Sequence, residues 1–537
     1  FAVQKIIHQY PHCWRCKEPV LFRATEQWFC SVDGFKKDAI KAIEEVKWIP
    51  AWGEGRIKNM VSDRSDWCIS RQRVWGVPIP IFYCEDCGEY HIDEASVRAV
   101  AELFRKEGSD AWYTHEAAEI LPEGTVCKKC GSKKFRKEKD IMDVWFDSGS
   151  THASVLEEHG LPWPCDLYIE GADQYRGWFQ SSLLTAVATR GQSPYKNCCS
   201  CGWVVDGEGR KMSKSLKNGT APEKIIEQYG ADILRLWVAS SDYHSDVRIS
   251  FEYLKQLSDG YRKIRNTARY ILGNLADFDP NTHQLPFEEL QDIDKWAIAR
   301  CQELIRGVRR DYEDFEFHNI YHAVYNFCSV EMSSFYLDVL KDRLYVEKKD
   351  SKARRAAQTA IYQILCALDL MLAPILPYTA EEIWSFIPES KEYNKASVML
   401  NDIPEAKDGL VSLEFMSKWE RLHAIRDDVN KALETARTAK TIGKSLEAKV
   451  TLHCEEEPFG FLSAVEELLP TIFIVSAVEL VKGGKGSFTG EAEGIAVDVA
   501  QAPGDKCQRC WMQSDTVGKD EKHPALCARC AAILADE

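Results

Sequence analysis

The stretch Lys211-Met212-Ser213-Lys214-Ser215 sets two primary amines three positions apart among small polar side chains. Gly207 and Gly209 precede it, so the backbone there bends freely. An ammonium on a flexible stem is a mobile point charge, able to follow a phosphate as its charge redistributes during a reaction. Lys211 and Lys214 are therefore candidate catalytic and anion-binding groups, against the plain alternative of a solvated basic loop. Upstream, Glu170, Gly171, Asp173 and Gln174 follow the short apolar run Leu167–Ile169, which predicts a strand. Polar groups at the carboxyl end of a strand in an open α/β sheet face the ligand crevice, where they can grip a ribose or a base edge. One acid in such a place is more often a helix cap, but three polar side chains together favour a site.

Ten of the twenty cysteines lie in the C-x-x-C pairs 13/16, 84/87, 127/130, 507/510 and 527/530, which are read as zinc half-sites. The last two pairs are separated by 16 residues, the spacing of a four-thiolate zinc site made of Cys507, Cys510, Cys527 and Cys530. So short a tail has little core, and metal must supply much of its folding free energy. Cys84, Cys87, Cys127 and Cys130 read as two zinc knuckles, each followed by a glycine suited to the tight turn (Gly88 and Gly131). Cys13 and Cys16 are a half-site with no second pair nearby.

A chain of 537 residues calls for about three or four domains. The net charge of −15 excludes a general nucleic-acid coater, so any RNA contact must use local basic surfaces. No charged-then-apolar leader follows Phe1, and no secretory signal is expected. The most apolar run, Ala360 to Leu376, carries Gln363, Asp369 and Pro374 and predicts a buried helix rather than a bilayer span. Paired cysteines of the zinc type point to a reducing cytoplasm, with no membrane association.

The elements that must position these groups follow from periodicity. Val77 to Tyr83 predicts a strand limited by prolines, and roughly Glu94 to Lys106 a helix between the knuckles. A helix with Phe179, Leu183, Leu184 and Val187 on one face follows the acidic cluster, and another spans Tyr229 to Trp237. From about 254 long amphipathic helices take over, with Leu257, Tyr261, Ile264, Ala268, Ile271 and Leu275 marking the first. Arg262, Lys263, Arg265 and Arg269 share that helix, as an RNA-facing surface or an ordinary solvated face. Further helices are expected at 294–312, 317–340, 354–372, 380–386 and 415–440, with Pro374 and Pro377 as breaks. His318 and His322 are one helical turn apart without a third ligand in view. Runs at 449–452, 471–475 and 496–499 predict strands of a small α+β domain, and Gly483 to Gly486 a turn. In the tail, Arg509, Trp511 and Arg529 suit contact with RNA phosphate and base, or else the tail is a structural clip alone.

The lysine loop resembles the second signature of class I aminoacyl-tRNA synthetases. Arg64-Ser65-Asp66-Trp67-Cys68-Ile69-Ser70-Arg71-Gln72-Arg73 is similar to a stretch shared by the isoleucyl, valyl and leucyl members. Asp143-Val144-Trp145-Phe146-Asp147-Ser148-Gly149 and Glu170-Gly171-Ala172-Asp173-Gln174-Tyr175-Arg176-Gly177-Trp178-Phe179 resemble the isoleucyl-tRNA synthetase family in particular. The resemblance implies that Glu170 contacts an isoleucyl-adenylate and that Trp145 and Trp178 line the pocket for the amino-acid side chain. Rigid indoles are apt for that, since an aliphatic group can be recognised only by shape and burial. Core packing is the alternative role for both.

The implied fold is multidomain, α/β plus all-α. It comprises the end of an editing insertion (1–50), the second half of a Rossmann-like catalytic core (51–253) with a knuckle insertion at about 84–130, and a helical anticodon-binding domain (254–412). A helix with an α+β junction (413–504) and a zinc-binding tail (505–537) complete it. The implied activity is ATP-dependent formation of isoleucyl-adenylate and transfer to the 3′ end of tRNA(Ile). Its partners are ATP with Mg²⁺, L-isoleucine and tRNA(Ile), and the enzyme is expected to be a cytoplasmic monomer containing Zn²⁺. None of the thirteen histidines makes the family's first signature, His-x-Gly-His. The chain therefore reads as the carboxy-terminal part of a larger enzyme, expected by itself neither to activate isoleucine nor to edit. A non-catalytic tRNA-binding protein and a valyl-specific enzyme are the competing readings.

Overall fold

The computed structural model describes residues 3–13, 16–212 and 218–535. They fall into two compact units, Phe1–Trp203 with His244–Asp246, and Val204–Tyr243 with Val247–Glu537.

The first unit is built on a three-stranded parallel sheet in the order Lys47–Ile49, Tyr195–Cys201, Cys165–Gly171. Cys198 pairs with both Trp48 and Tyr168, and Ser200 and Cys201 lie beside Glu170 and Gly171, so the acidic cluster leaves the sheet at its carboxyl edge. Parallel strands require crossovers, and here one is the helix Trp178–Arg190. Every residue from Phe179 to Val187 on it is buried. It packs with Trp48, Ile57, Val61, Tyr175 and Tyr195 in one core. The strand before the helix is longer than its apolar run, spanning Cys165–Gly171, because backbone pairing with a central strand continues past the apolar residues.

The knuckle region has its own three-stranded antiparallel sheet, Phe82–Cys84, Tyr90–His91 and Phe135–Lys137, over Phe82, Val100, Trp112 and Ile120. Its helix, Glu94–Glu107, opens with Asp93 accepting from the Ser96 amide at 2.9 Å, a reciprocal cap. The strand expected over 77–83 forms only at Phe82–Cys84. Pro78 and Pro80 offer no N–H to a ladder, and Pro78 makes a single isolated bridge to Ile141.

In the second unit, Val204–Val205 runs parallel to Val247–Arg248, and long helices follow: Phe251–Gly273, Asp292–Glu313, Lys352–Leu372, Pro377–Phe386 and Leu413–Thr438. Leu257, Ile264, Ala268 and Ile271 are buried along the first, as their spacing requires. The chain breaks between Leu372 and Pro377, where prolines end one helix and start the next. The stretch 317–340 begins as the helix Phe317–Asn326 and then widens into π-type turns over Phe327–Tyr336. Within the bundle, buried Asp294 accepts two bonds from Arg343, at 2.8 and 2.9 Å, and one from the Tyr336 hydroxyl at 2.8 Å. A four-stranded sheet closes the unit, ordered Ala477–Lys482, Ala448–Cys454, Ile495–Gln501, Phe488–Thr489. The strand expected at 471–475 is instead the helical turn Leu469–Phe473, and the strand begins at Ala477. Pro470 sits in the first turn, where its fixed φ favours a helix, and a short apolar run cannot by itself tell strand from helix. Among the described residues no helix is long and apolar enough to cross a membrane.

Candidate active site and metal centres

The candidate site in the first unit grows from the end of the strand Cys165–Gly171. A single turn, Ala172–Tyr175, redirects the chain into the helix Trp178–Arg190. Tyr175 anchors that turn: its ring is fully buried and its hydroxyl meets Ser200 Oγ at 3.0 Å. Glu170 stays exposed, its carboxylate accepting from the Gly171 amide at 3.1 Å. A Cβ at Gly171 would lie 2.9 Å from the tip of the exposed Asp173 side chain, which would have to shift. Gln174 donates to Asp173 at 3.3 Å, and its Oε1 accepts the Trp178 amide at 3.0 Å.

The indole of Trp178 is fixed on two sides. Its face stacks on Tyr168 with centroids 4.1 Å apart and planes 11° from parallel, and its Nε1 donates to Ser148 O at 2.9 Å. Burial pushes the Tyr168 hydroxyl up to about 12, so it stays protonated. Trp145 lies in the helix Val144–Gly149, 40% exposed, with its ring edge against Gly177. Asp143 just before it is buried, bonded to Trp67 Nε1 at 3.0 Å and paired with Arg71 at 3.1 Å. Glu170, Gly171, Asp173, Gln174, Trp178 and Trp145 thus form one constellation, in which polar groups and an indole wall adjoin. Tyr168, Ser148 and Gly177 support it and were not singled out in the sequence; an aromatic inside the apolar run was the one signal available for Tyr168.

Lys211 belongs to the second unit and is exposed there. Lys214 lies outside the described residues. Val205 bridges to Lys211, and Asn218 donates to Lys211 O at 3.3 Å. Asp206 holds both flanks of the stretch: it accepts from the amides of Glu208 (3.2 Å) and Arg210 (2.8 Å), from Arg210 Nε (2.9 Å) and from the Asn218 amide group (2.8 Å). The Asn218 side chain and then the Arg210 amide hold its carboxyl down at about 2. Asp206 is another residue that spacing alone did not reveal.

Two cysteine quartets are assembled. In each, the four Sγ atoms lie within 4.8 Å of one another: Cys84, Cys87, Cys127, Cys130, and Cys507, Cys510, Cys527, Cys530. Measured edges are 3.5 Å (84–130 and 87–127) and 3.8 Å (510–527), against about 3.8 Å for a tetrahedron with Zn–S of about 2.3 Å. Bonded sulfurs would be at about 2.05 Å, and all these thiols are free. Gly88 and Gly131 take φ of +73° and +75°, the left-handed turn the knuckles need. Amides of Cys130 and Lys129 pointing at Cys127 bring its thiol down to about 7. Burial pushes Cys507 up, but the amides of Cys510, Cys527 and Arg509 outweigh it and leave the thiol at about 6. Both quartets fit zinc in donor type, number and geometry. Cys13 and Cys16 join no such group among the described residues, nor do His318 and His322.

The tail's basic residues are occupied. Arg529 pairs with Asp342 through two bonds, at 2.6 and 2.8 Å, and Arg509 donates to Val346 O at 2.8 Å. They seat the tail on the helix Lys341–Val346, while Trp511 stays 57% exposed. On the helix Phe251–Gly273, Arg262 pairs with Asp259, Arg265 with Glu382 at 3.4 Å, and Lys263 meets Tyr325 Oη at 3.0 Å.

Comparison with known proteins agrees with this layout. Residues 14–250 match the model "tRNA synthetases class I (I, L, M and V)", 294–452 "Anticodon-binding domain of tRNA ligase", and 504–533 "Zinc finger found in FPG and IleRS". The chain is 56% identical over its whole length to isoleucine–tRNA ligase of Caldanaerobacter subterraneus subsp. tengcongensis. It is 53% identical over 99% of its length to that of Moorella thermoacetica. It spans 58% of the length of each. Among solved structures, methionyl-tRNA synthetase of Mycobacterium tuberculosis with methionyl-adenylate shares the fold at TM-score 0.51 and 17% identity, over 71% of this chain and 67% of that one. Over its whole length the chain is thus a homologue of part of the isoleucine–tRNA ligases, and it carries a class I tRNA synthetase domain, an anticodon-binding domain and a zinc finger in that order.

Proposed function

We propose that the protein carrying this chain activates L-isoleucine with ATP and transfers it to the 3′ end of tRNA(Ile). One observation supports this most: at the polar strand end of Glu170, Gly171, Asp173 and Gln174, Gln174 accepts the Trp178 amide and the ring edge of Trp145 lies against Gly177. That pairing suits an adenylate ester, which has a polar nucleotide on one side and an aliphatic side chain on the other.

The isoleucine carboxylate oxygen attacks the α-phosphorus of ATP. The bond to the bridging oxygen breaks, and pyrophosphate leaves with its electrons. A terminal ribose hydroxyl of the tRNA then attacks the acyl carbon, and AMP leaves. Mg²⁺ enters bound to ATP as part of the substrate. Glu170, Asp173 and Gln174 orient the adenylate, and the indoles exclude water from the aliphatic group. Lys211, and Lys214 outside the described residues, answer the charge that builds on the phosphates; one preorganised donor of this kind is typically worth about 3–4 kcal/mol. Zinc, when bound in the two quartets, supplies structural cross-links. The thiolates require a reducing compartment, which favours the cytoplasm.

Isoleucine-dependent pyrophosphate exchange by the full-length protein, with charging of tRNA(Ile), tests the reading. Faster exchange with valine than with isoleucine would assign a valyl enzyme. No exchange with either amino acid would leave only tRNA binding.

A further inference from the structure

Resting on the reading of Trp145 and Trp178 as walls around the amino-acid side chain, we infer that Gly177 sets the position of Trp145 and so determines the shape of that enclosure. Gly177 joins the turn Ala172–Tyr175 to the helix that carries Trp178. What reserves the position for glycine is space. A Cβ at 177 would lie 2.9 and 3.0 Å from the outer edge of the Trp145 indole, at Cη2 and Cζ3, and 2.5 Å from Gln174 Oε1. Carbons in contact settle at about 3.5–4.0 Å, so the indole rests directly on bare backbone.

The neighbours differ in their freedom to yield. Gln174 Oε1 accepts the Trp178 amide at 3.0 Å, and the Gly177 amide in turn donates to Gln174 O at 3.0 Å. Moving that side chain would strip the first amide of the helix of its acceptor. Trp178 is locked by Tyr168 and Ser148 O. Trp145 is 40% exposed and is the group with room to move. A methyl at 177 therefore displaces the Trp145 ring. Displaced inward, the ring narrows the enclosure; displaced outward, it withdraws contact. Both cost isoleucine more than valine, the smaller by one methylene. Gly177 is thus a positioning residue that acts through Trp145.

The test uses the full-length protein, with pyrophosphate exchange measured for both amino acids. Gly177→Ala is expected to raise KM for isoleucine about tenfold, to change kcat less than about threefold, and to lower the isoleucine-over-valine ratio of kcat/KM about tenfold. Trp145→Phe removes the indole atoms that the methyl strikes, leaves the contact with Gln174 Oε1 in place, and lowers the ratio by itself. In that background, adding Gly177→Ala is expected to change the ratio less than about twofold, because contacting residues are not additive. A ratio unchanged by Gly177→Ala while Trp145→Phe lowers it overturns the inference and leaves the pocket reading standing. Equal effects of Gly177→Ala in both backgrounds also overturn it. If Trp145→Phe alone changes neither KM nor ratio, the pocket reading itself falls. Should Gly177→Ala fail to melt cooperatively, the double variant is expected to fold and to match Trp145→Phe; failure of both to fold overturns the inference.

Discussion

Asp369 carries an ionisable group into the middle of the helical bundle. It is 1% exposed on the helix Lys352–Leu372, and neither carboxyl oxygen has a hydrogen-bond partner among the described residues. Burial, and then Glu381, push its carboxyl up to about 8, with Lys395 opposing; Cys366 lies near on the same helix. The folded state therefore keeps a proton that the unfolded chain releases near pH 4. That contribution is undiminished below pH 4 and is lost as pH rises from 4 to 8. Asp369→Asn, which cannot ionise, is expected to unfold less pH-dependently over that window and to exceed the parent in unfolding free energy at pH 8.5 by about a few kcal/mol. Equal pH profiles for the two proteins would contradict it. Sequence shows an Asp in an apolar helix and nothing more, because the missing partners are set by packing. The gathering of Glu170, Asp173 and Gln174 at one strand end was legible at this scale from their types and positions, whereas Trp145 and Trp178 were marked only by the family resemblance. Gly177 and Tyr168 were not, because each acts through a neighbour that only the turn at Ala172–Tyr175 brings close.

At the scale of elements, Asp206 ties the segment before Lys211 to Asn218 after Lys217. Its carboxyl is held down at about 2, so the tie is complete above pH 4 and weakens only as pH falls toward 2. In the full-length protein, Asp206→Ala is expected to lower kcat for pyrophosphate exchange about 10–100-fold with little change in KM for isoleucine, since the lysines answer charge that develops in the transition state. Parallel losses in kcat and isoleucine affinity would argue for a general collapse instead. The two glycines before the lysines marked the bend, but the residue that closes it is an ordinary Asp in a polar stretch. Long helices were legible from their apolar spacing. The short run 471–475 was not, because four apolar residues after Thr471 satisfy a strand and a buried turn equally, and Pro470 decides.

Across the whole molecule, two cysteine quartets that fit zinc sit beside small cores. Native mass spectrometry of the chain is expected to find two zinc ions, and Cys527→Ser to remove one while the quartet at Cys84 keeps the other. Loss of both ions in that variant would mean that the centres fold together. Both quartets were legible, because thiolate spacing is a local property. The contacts of Arg509 and Arg529 with Val346 and Asp342 were not, because those partners lie far off in sequence. Arg529→Ala is expected to expose the tail to protease while leaving zinc stoichiometry intact. Asp342 has Arg343 as its neighbour on the same short helix, and Arg343 is buried against Asp294. One turn of backbone therefore works as a rocker, gripping the bundle's interior with one residue and the zinc tail with the next. A lesion at Asp294 would tip it, and zinc in the tail would exchange faster although nothing in the tail had been altered.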